Sequence, residues 1–114
     1  MSILRNKTLI TVSLGHFATD LCASFMPLVW PVLSGPLSMN YGMIGLASTI
    51  YTAASSVTQP IFGYLGDRSH SRRWAALGLA FAAIFVGLIG FVDSYPMLIA
   101  VVIMLGMGVS AFHP

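Results

Sequence analysis

The stretch GYLGDRSHSRR, residues 63–73, holds four of the eight charged side chains in this 114-residue chain. Long runs with almost no charge lie on both sides of it, and hydrophobic residues make up 57% of the chain against 7% for charged ones. Average soluble domains carry about 25% charged residues. A chain of this composition cannot cover itself with a polar surface, so we predict an all-α integral membrane protein that contacts the lipid bilayer directly.

Several classes of function are excluded by residue types that the chain lacks. The net charge of +2 comes from few residues and leaves no basic face, so no nucleic-acid partner is expected. The single Cys22 excludes an internal disulfide and a multi-cysteine zinc site. No nucleotide-binding loop, catalytic motif or metal-ligand spacing occurs. We therefore predict no enzyme activity, no metal and no cofactor.

Four segments are long and apolar enough to cross a membrane. A bilayer core of about 30 Å needs roughly 20 apolar residues of helix. Short breaks with turn-forming or charged residues separate the segments. We predict one domain over residues 1–114, with spans at about 8–34, 43–65, 74–92 and 96–113, and with a loop over 66–73.

The basic residues predict the orientation of these spans. Lys and Arg accumulate in cytoplasmic loops of membrane proteins. All five lie either before the first span or in the loop 66–73: Arg5, Lys7, Arg68, Arg72 and Arg73. Four spans that run up, down, up and down place both regions on one side. We predict that the N-terminus and the loop 66–73 are cytoplasmic and that the protein lies in the plasma membrane.

The first span carries an acidic residue near its middle. Asp20 lies 12 residues after Thr8, about 18 Å along a helix. A carboxylate at this depth is costly unless it is paired, protonated or in contact with water, so it is a functional candidate. His16 precedes it by four residues and shares its helix face. The pair can form an ion pair or exchange a proton; the alternative is a hydrogen-bonded Asp that only fixes helix packing.

Other residues in the spans suggest bends, polar contacts and close packing. Pro27, Pro31 and Pro60 each remove a helical hydrogen bond and can bend their helix. Gln59 and His113 lie in the cytoplasmic halves of spans 2 and 4, at the depth of His16, and the three side chains could line one cavity. Small residues let membrane helices approach closely. They occur throughout span 2 and at intervals of four or eight in span 3: Gly78, Ala82 and Gly90.

The charged stretch also contains a motif. Its pattern, Gly63-x-x-x-Asp67-Arg68-x-x-x-Arg72-Arg73, resembles the signature between helices 2 and 3 of the Major Facilitator Superfamily. His70 stands where that signature usually has Gly. Further segments are similar to the fosmidomycin-resistance branch of this family: His16-x-x-x-Asp20, Ser55-Ser56, Gln59-Pro60, Gly106-x-Gly108 and Phe112-His113-Pro114.

The resemblance implies a fold and an activity. Transporters of this family have twelve helices in two halves, each built from two inverted three-helix repeats. The four spans then correspond to helices 1–4 of the N-terminal half. We therefore expect an N-terminal portion of a secondary transporter that is not transport-competent alone. Its partners are the missing C-terminal helices and a small organic solute or antibiotic, exported with the proton gradient as energy source.

The resemblance also assigns roles to the candidate residues. Helices 1 and 4 line the central cavity of such transporters, which brings Asp20, His16 and His113 towards it. The motif closes the cytoplasmic side, and its acidic residue, here Asp67, interacts with the start of a helix in the other half, where the helix dipole favours negative charge.

Two other functions remain open at this point. A complete four-helix small multidrug exporter acting as a dimer has about this length, but it relies on a Glu in its first helix, and this chain has only Asp20 there. A non-transporting membrane assembly or scaffold subunit has the same number of helices. Such a subunit does not need a buried Asp or a gating motif.

Overall fold

The protein is all α-helical, as its composition predicts. The computed structural model describes residues 6–69 and 73–112, and within these ranges no strand occurs. A 3₁₀ turn, Ile89–Phe91, extends the fourth of the five helices. The helices are α1 (Lys7–Ser24), α2 (Met26–Ser34), α3 (Tyr41–Ser69), α4 (Arg73–Leu88) and α5 (Tyr95–Phe112).

Three stretches are long and apolar enough to cross a membrane. They are Lys7–Ser34, which combines α1 and α2, then Arg73–Phe91 and Tyr95–Phe112. Helix α3, the second predicted span, has 29 residues and a length of about 43 Å, but it is more polar than the other spans. Its threonine hydroxyls donate to backbone carbonyls one turn earlier, at 2.9 Å for Thr49 and Thr52 and at 2.6 Å for Thr58. Hydrogen bonds of this kind satisfy the hydroxyl groups within the helix itself.

The first span is interrupted near its middle. Phe25 separates α1 from α2, two residues before Pro27. Proline has no N–H and cannot donate to the carbonyl four residues earlier, so the regular ladder stops here. Pro31 and Pro60 lie inside α2 and α3, and both helices continue through them.

The charged stretch contains less loop than predicted. We expected a loop over 66–73, but α3 continues through Ser69 and α4 begins at Arg73. Arg68 stabilises the extra turn because its guanidinium Nη1 donates to the hydroxyl of Tyr64, one turn earlier, at 2.6 Å. A basic side chain at a helix C-terminus also complements the helix dipole. His70 and Arg72 lie outside the described residues.

Helix α5 forms the centre of the bundle. Both α3 and α4 pack along it, and α1 contacts α4 and α5. Nine of the 18 residues of α5 are buried, far more than in any other helix. Leu98, Val102 and Leu105 are completely enclosed.

Two glycines allow α5 to pack closely on both neighbours. A Cβ at Gly106 would lie 2.8 Å from the carbonyl oxygen of Tyr51 in α3. A Cβ at Gly108 would lie 2.8 Å from the backbone nitrogen of Ala82 in α4. Positions two apart on a helix differ in direction by about 200°, so Gly106 and Gly108 face opposite sides of α5. No side chain larger than hydrogen fits at either contact.

The small residues of span 3 divide into two groups. Gly78 and Ala82 are buried against α5, and a Cβ at Gly78 would lie 2.6 Å from the Cβ of Ala111. Gly90 is exposed, and a Cβ there would have no neighbour within 4 Å. The expected close packing therefore holds for the first two positions and not for the third.

Hydrogen bonds join α3 to α5 at two levels. The hydroxyl oxygens of Thr58 and Ser110 are hydrogen-bonded at 2.7 Å, and Ser110 is completely buried. The Tyr95 hydroxyl donates to the Met43 carbonyl at 2.8 Å, near the other end of the pair. These links fix the register of α5 along α3.

Replacement of Gly108 by Val should disrupt the contact between α4 and α5. The added side chain meets backbone atoms of Ala82, which cannot rotate away, and overpacking of this kind costs about 1–3 kcal/mol. We expect a lower melting temperature and a smaller monodisperse fraction in detergent by fluorescence-detected gel filtration. Gly90→Val is the matched control, because a Cβ there meets no neighbour within 4 Å, and it should behave as the unmodified protein. Equal behaviour of the two variants would contradict the close packing.

Thr58→Val should destabilise the bundle by about 1 kcal/mol, because it leaves the buried Ser110 hydroxyl without its interhelical partner. Ser110→Ala in the same background should recover part of the loss, because both polar groups are then absent. A double-mutant cycle of unfolding free energies measures the coupling. Additive single effects would show that the hydroxyl contact does not stabilise the α3–α5 interface.

Candidate functional site

His16 and Asp20 form a pair on α1. The Nε2 atom of His16 lies 3.2 Å from Oδ2 of Asp20, as their spacing of four residues predicts. The side chains are 56% and 53% exposed. The pair therefore lies on an open face of the helix rather than in the packed core of the bundle.

The neighbouring face of α1 holds this pair against the end of α5. A Cβ at Gly15 would lie 2.8 Å from the ring of Phe112, so the aromatic ring packs directly on the α1 backbone. The His16 ring is tilted against the same phenylalanine, with 6.2 Å between ring centroids. Thr19 is completely buried and donates its hydroxyl to the Gly15 carbonyl at 2.9 Å.

Gly15 and Thr19 thus position the pair, a role that the sequence analysis did not assign to them. The available signal was a pair of small residues four apart, which marks a close helix contact. Such spacing is common in membrane helices, and only the structure shows that Phe112 is the contact.

The other two cavity candidates relate to this pair differently. Gln59 is half-buried on α3 and directly follows Thr58, which contacts Ser110. Ser110 lies two residues before Phe112, so Thr58, the neighbour of Gln59, and His16 contact α5 within one turn of each other. His113 lies outside the described residues. A cavity shared by all three side chains stays a prediction.

The motif residues lie where α3 ends and α4 begins. Gly63 and Asp67 belong to the last two turns of α3, and Arg73 is the first residue of α4. The Asp67 carboxylate is exposed, and no residue in the ranges 6–69 and 73–112 forms a hydrogen bond or ion pair with it. The Arg68 guanidinium carbon lies 5.9 Å from the centre of the Tyr64 ring, so this cation is held beside the helix.

Trp74 connects the two helices next to the motif. Its indole N–H donates to Oγ of Ser69 at 2.8 Å, and its ring lies 6.4 Å from that of Phe62, centre to centre. Trp74 could not be recognised from the sequence. It is an aromatic residue at the end of a span, where such residues are common, and only its contacts distinguish it.

The chemistry available at these two sites is proton exchange and ion pairing. Within the described parts of the chain, no group of three His, Cys, Asp or Glu side chains comes together to hold a metal ion. The His16–Asp20 pair can bind or release a proton at either member, and the end of α3 presents one carboxylate next to one cation.

Comparisons with known proteins identify the family. The sequence profile of the Major Facilitator Superfamily matches residues 12–114. The Fosmidomycin resistance protein of Escherichia coli (strain K12) is 28% identical over 104 residues, which cover 90% of this chain and 25% of that protein. The uncharacterized MFS-type transporter YfnC of Bacillus subtilis (strain 168) is 28% identical over 108 residues, which cover 93% of this chain and 26% of that protein. No solved structure matches significantly.

The chain thus spans about a quarter of the length of the curated relatives it matches. The profile, in contrast, covers nearly the whole chain, and it agrees with the apolar helices of the structure and with the motif at the end of α3. The protein is an integral membrane protein that belongs to the Major Facilitator Superfamily.

Proposed function

We propose that this chain contributes the first four helices of a secondary transporter that exports a small organic solute or antibiotic in exchange for protons. Family membership supports transport, and similarity to a protein named for fosmidomycin resistance supports an antibiotic-like substrate. The profile match favours this hypothesis over a small multidrug exporter or a scaffold subunit.

The His16–Asp20 pair is the observation that carries the proposal. Both side chains lie in a predicted span and are more than half exposed. An Asp at the centre of a lipid-facing helix costs about 2.5–3.5 kcal/mol, so charged residues in spans usually face a water-filled cavity or the interior of a bundle. The open face of α1 is therefore assigned to the transport cavity rather than to lipid.

The geometry supports a simple proton exchange. At a contact of 3.2 Å, a protonated His16 stabilises the Asp20 carboxylate when the pair carries no net charge. Uptake of one proton by the carboxylate raises the net charge by one and removes the ionic part of the contact. A cavity that opens alternately to the two sides of the membrane can then load and release this proton in turn.

The motif is proposed to act as the cytoplasmic gate. Asp67 projects from the last turn of α3, where the Tyr64–Arg68 contact stabilises the helix. The bond from Trp74 to Ser69 fixes the start of α4 beside it. An exposed carboxylate on a rigid helix end can dock on the positive N-terminus of another helix and leave it again as the transporter opens.

Replacement of Asp20 by Asn in the complete transporter tests the coupling. The amide cannot take up the proton, so fosmidomycin transport into inverted vesicles should fall to the level seen without a pH gradient. Gradient-independent exchange of labelled for unlabelled fosmidomycin should persist, because it needs the cavity but no net proton transfer. Asp93→Asn, an exposed acid outside the helices, is the matched control. Full gradient-driven transport in the Asp20→Asn variant would overturn the coupling role.

Cysteine labelling tests the orientation. Cys22 is the only cysteine of this chain, so Cys22→Ala, together with replacement of every cysteine in the rest of the transporter, removes native reactivity. A cysteine at Ser69 should react with a membrane-impermeant maleimide only after the cytoplasmic side is exposed. A cysteine at Ser94, between α4 and α5, should react in intact cells. The opposite pattern would reverse the proposed topology.

A further inference from the structure

The end of the bundle next to the motif contains an apolar cavity of about 200 Å³. Its walls come from three helices: Phe62 of α3, Trp74, Leu77 and Phe81 of α4, and Met107 of α5. The cavity lies between α3 and α4, which pack along α5 and make few contacts with each other. None of its lining residues belongs to α1, the helix that carries the His16–Asp20 pair.

The cavity runs along the helix axis. Trp74, Leu77 and Phe81 follow one another at spacings of three and four residues, so they line one face of α4 over about 10 Å. Leu77 is 61% exposed, so this face is open to the surroundings of the bundle. A lipid acyl chain has the same direction when it crosses its leaflet.

Basic residues adjoin the cavity in the sequence. Arg73 is exposed and directly precedes Trp74, and residues 63–73 contain three arginines and one aspartate, Asp67. A guanidinium group has five N–H donors, so it can bind a phosphate oxygen in addition to a neighbouring protein group. Trp74 has the amphipathic character of residues that lie at the headgroup level, with its N–H bonded to Ser69 and its ring in the cavity.

We propose that this cavity binds one acyl chain of an anionic phospholipid whose phosphate pairs with Arg73. The apolar walls alone give little selectivity, because a chain that enters leaves equally apolar surroundings in the bilayer. The selectivity must therefore come from the headgroup. A single basic residue near the membrane surface gives roughly a fivefold preference for an anionic lipid.

Tryptophan fluorescence can detect this lipid. The chain has two tryptophans, Trp30 and Trp74, so replacement of Trp30 and of every tryptophan in the rest of the transporter by Phe gives a variant that reports on the cavity alone. The variant is reconstituted in mixed vesicles of phosphatidylcholine and phosphatidylglycerol, with brominated acyl chains on one lipid at a time. At equal mole fraction, brominated phosphatidylglycerol should occupy the site with roughly fivefold preference over brominated phosphatidylcholine and quench Trp74 accordingly.

Charge variants show whether Arg73 is responsible. In Arg73→Gln the preference should fall to about that of the bulk bilayer, because the phosphate loses its partner. Lys7→Gln removes the same charge from the exposed start of α1, a helix that does not line the cavity, and should keep the preference. A Trp74→Phe protein, with Trp30 as reporter, should show no preference, and its emission confirms that the bundle is folded.

Three results would overturn the proposal. Equal quenching of Trp74 by both brominated lipids would show that the headgroup is not selected. Weak quenching by both would show that another part of the protein covers the cavity. An equal loss of the preference for phosphatidylglycerol in Arg73→Gln and in Lys7→Gln would show a general effect of surface charge.

Discussion

The backbones of α3 and α4 approach α5 so closely that no Cβ fits at Gly106 or Gly108. The rest of the structure depends on this constraint. In a bilayer, apolar burial does not drive helices together, so close van der Waals contact and interhelical hydrogen bonds must hold them. The two glycines supply the contact on opposite sides of one helix, and Thr58–Ser110 supplies a hydrogen bond on the α3 side. These contacts on both sides allow α5, with only 18 residues, to form the centre of the bundle.

Three consecutive residues of α5 connect the sites. Ser110 is bonded to Thr58 of α3, Ala111 packs over Gly78 of α4, and Phe112 covers Gly15 of α1. The last turn of α5 thus contacts every long helix of the bundle. This turn therefore forms a continuous packed connection from α1, which carries the His16–Asp20 pair, to the two helices that meet at the charged motif.

The features that depend on composition and on local spacing could be predicted from the sequence. The all-α architecture follows from the lack of charge, the family from the motif at residues 63–73, and the His16–Asp20 contact from a separation of four residues on one helix. The loop at 66–73 is shorter than the charge pattern predicts, because α3 continues through Ser69 with the Tyr64–Arg68 contact along its last turns. The partners of Thr58 and Gly15 were not predictable, because they depend on how each helix is rotated about its axis. A single sequence does not specify this rotation when its helices are apolar on all sides.

The interruption at Phe25 gives the first span two unequal parts. Helix α1 buries only Thr19 among its 18 residues, whereas the nine-residue α2 buries Met26, Val29 and Trp30. The shorter part therefore supplies the core side chains, while the longer part contacts α4 and α5 and leaves most of its surface open. One span thus has two separate tasks along its length: α2 fills the core, and α1 presents the His16–Asp20 pair on an uncovered face.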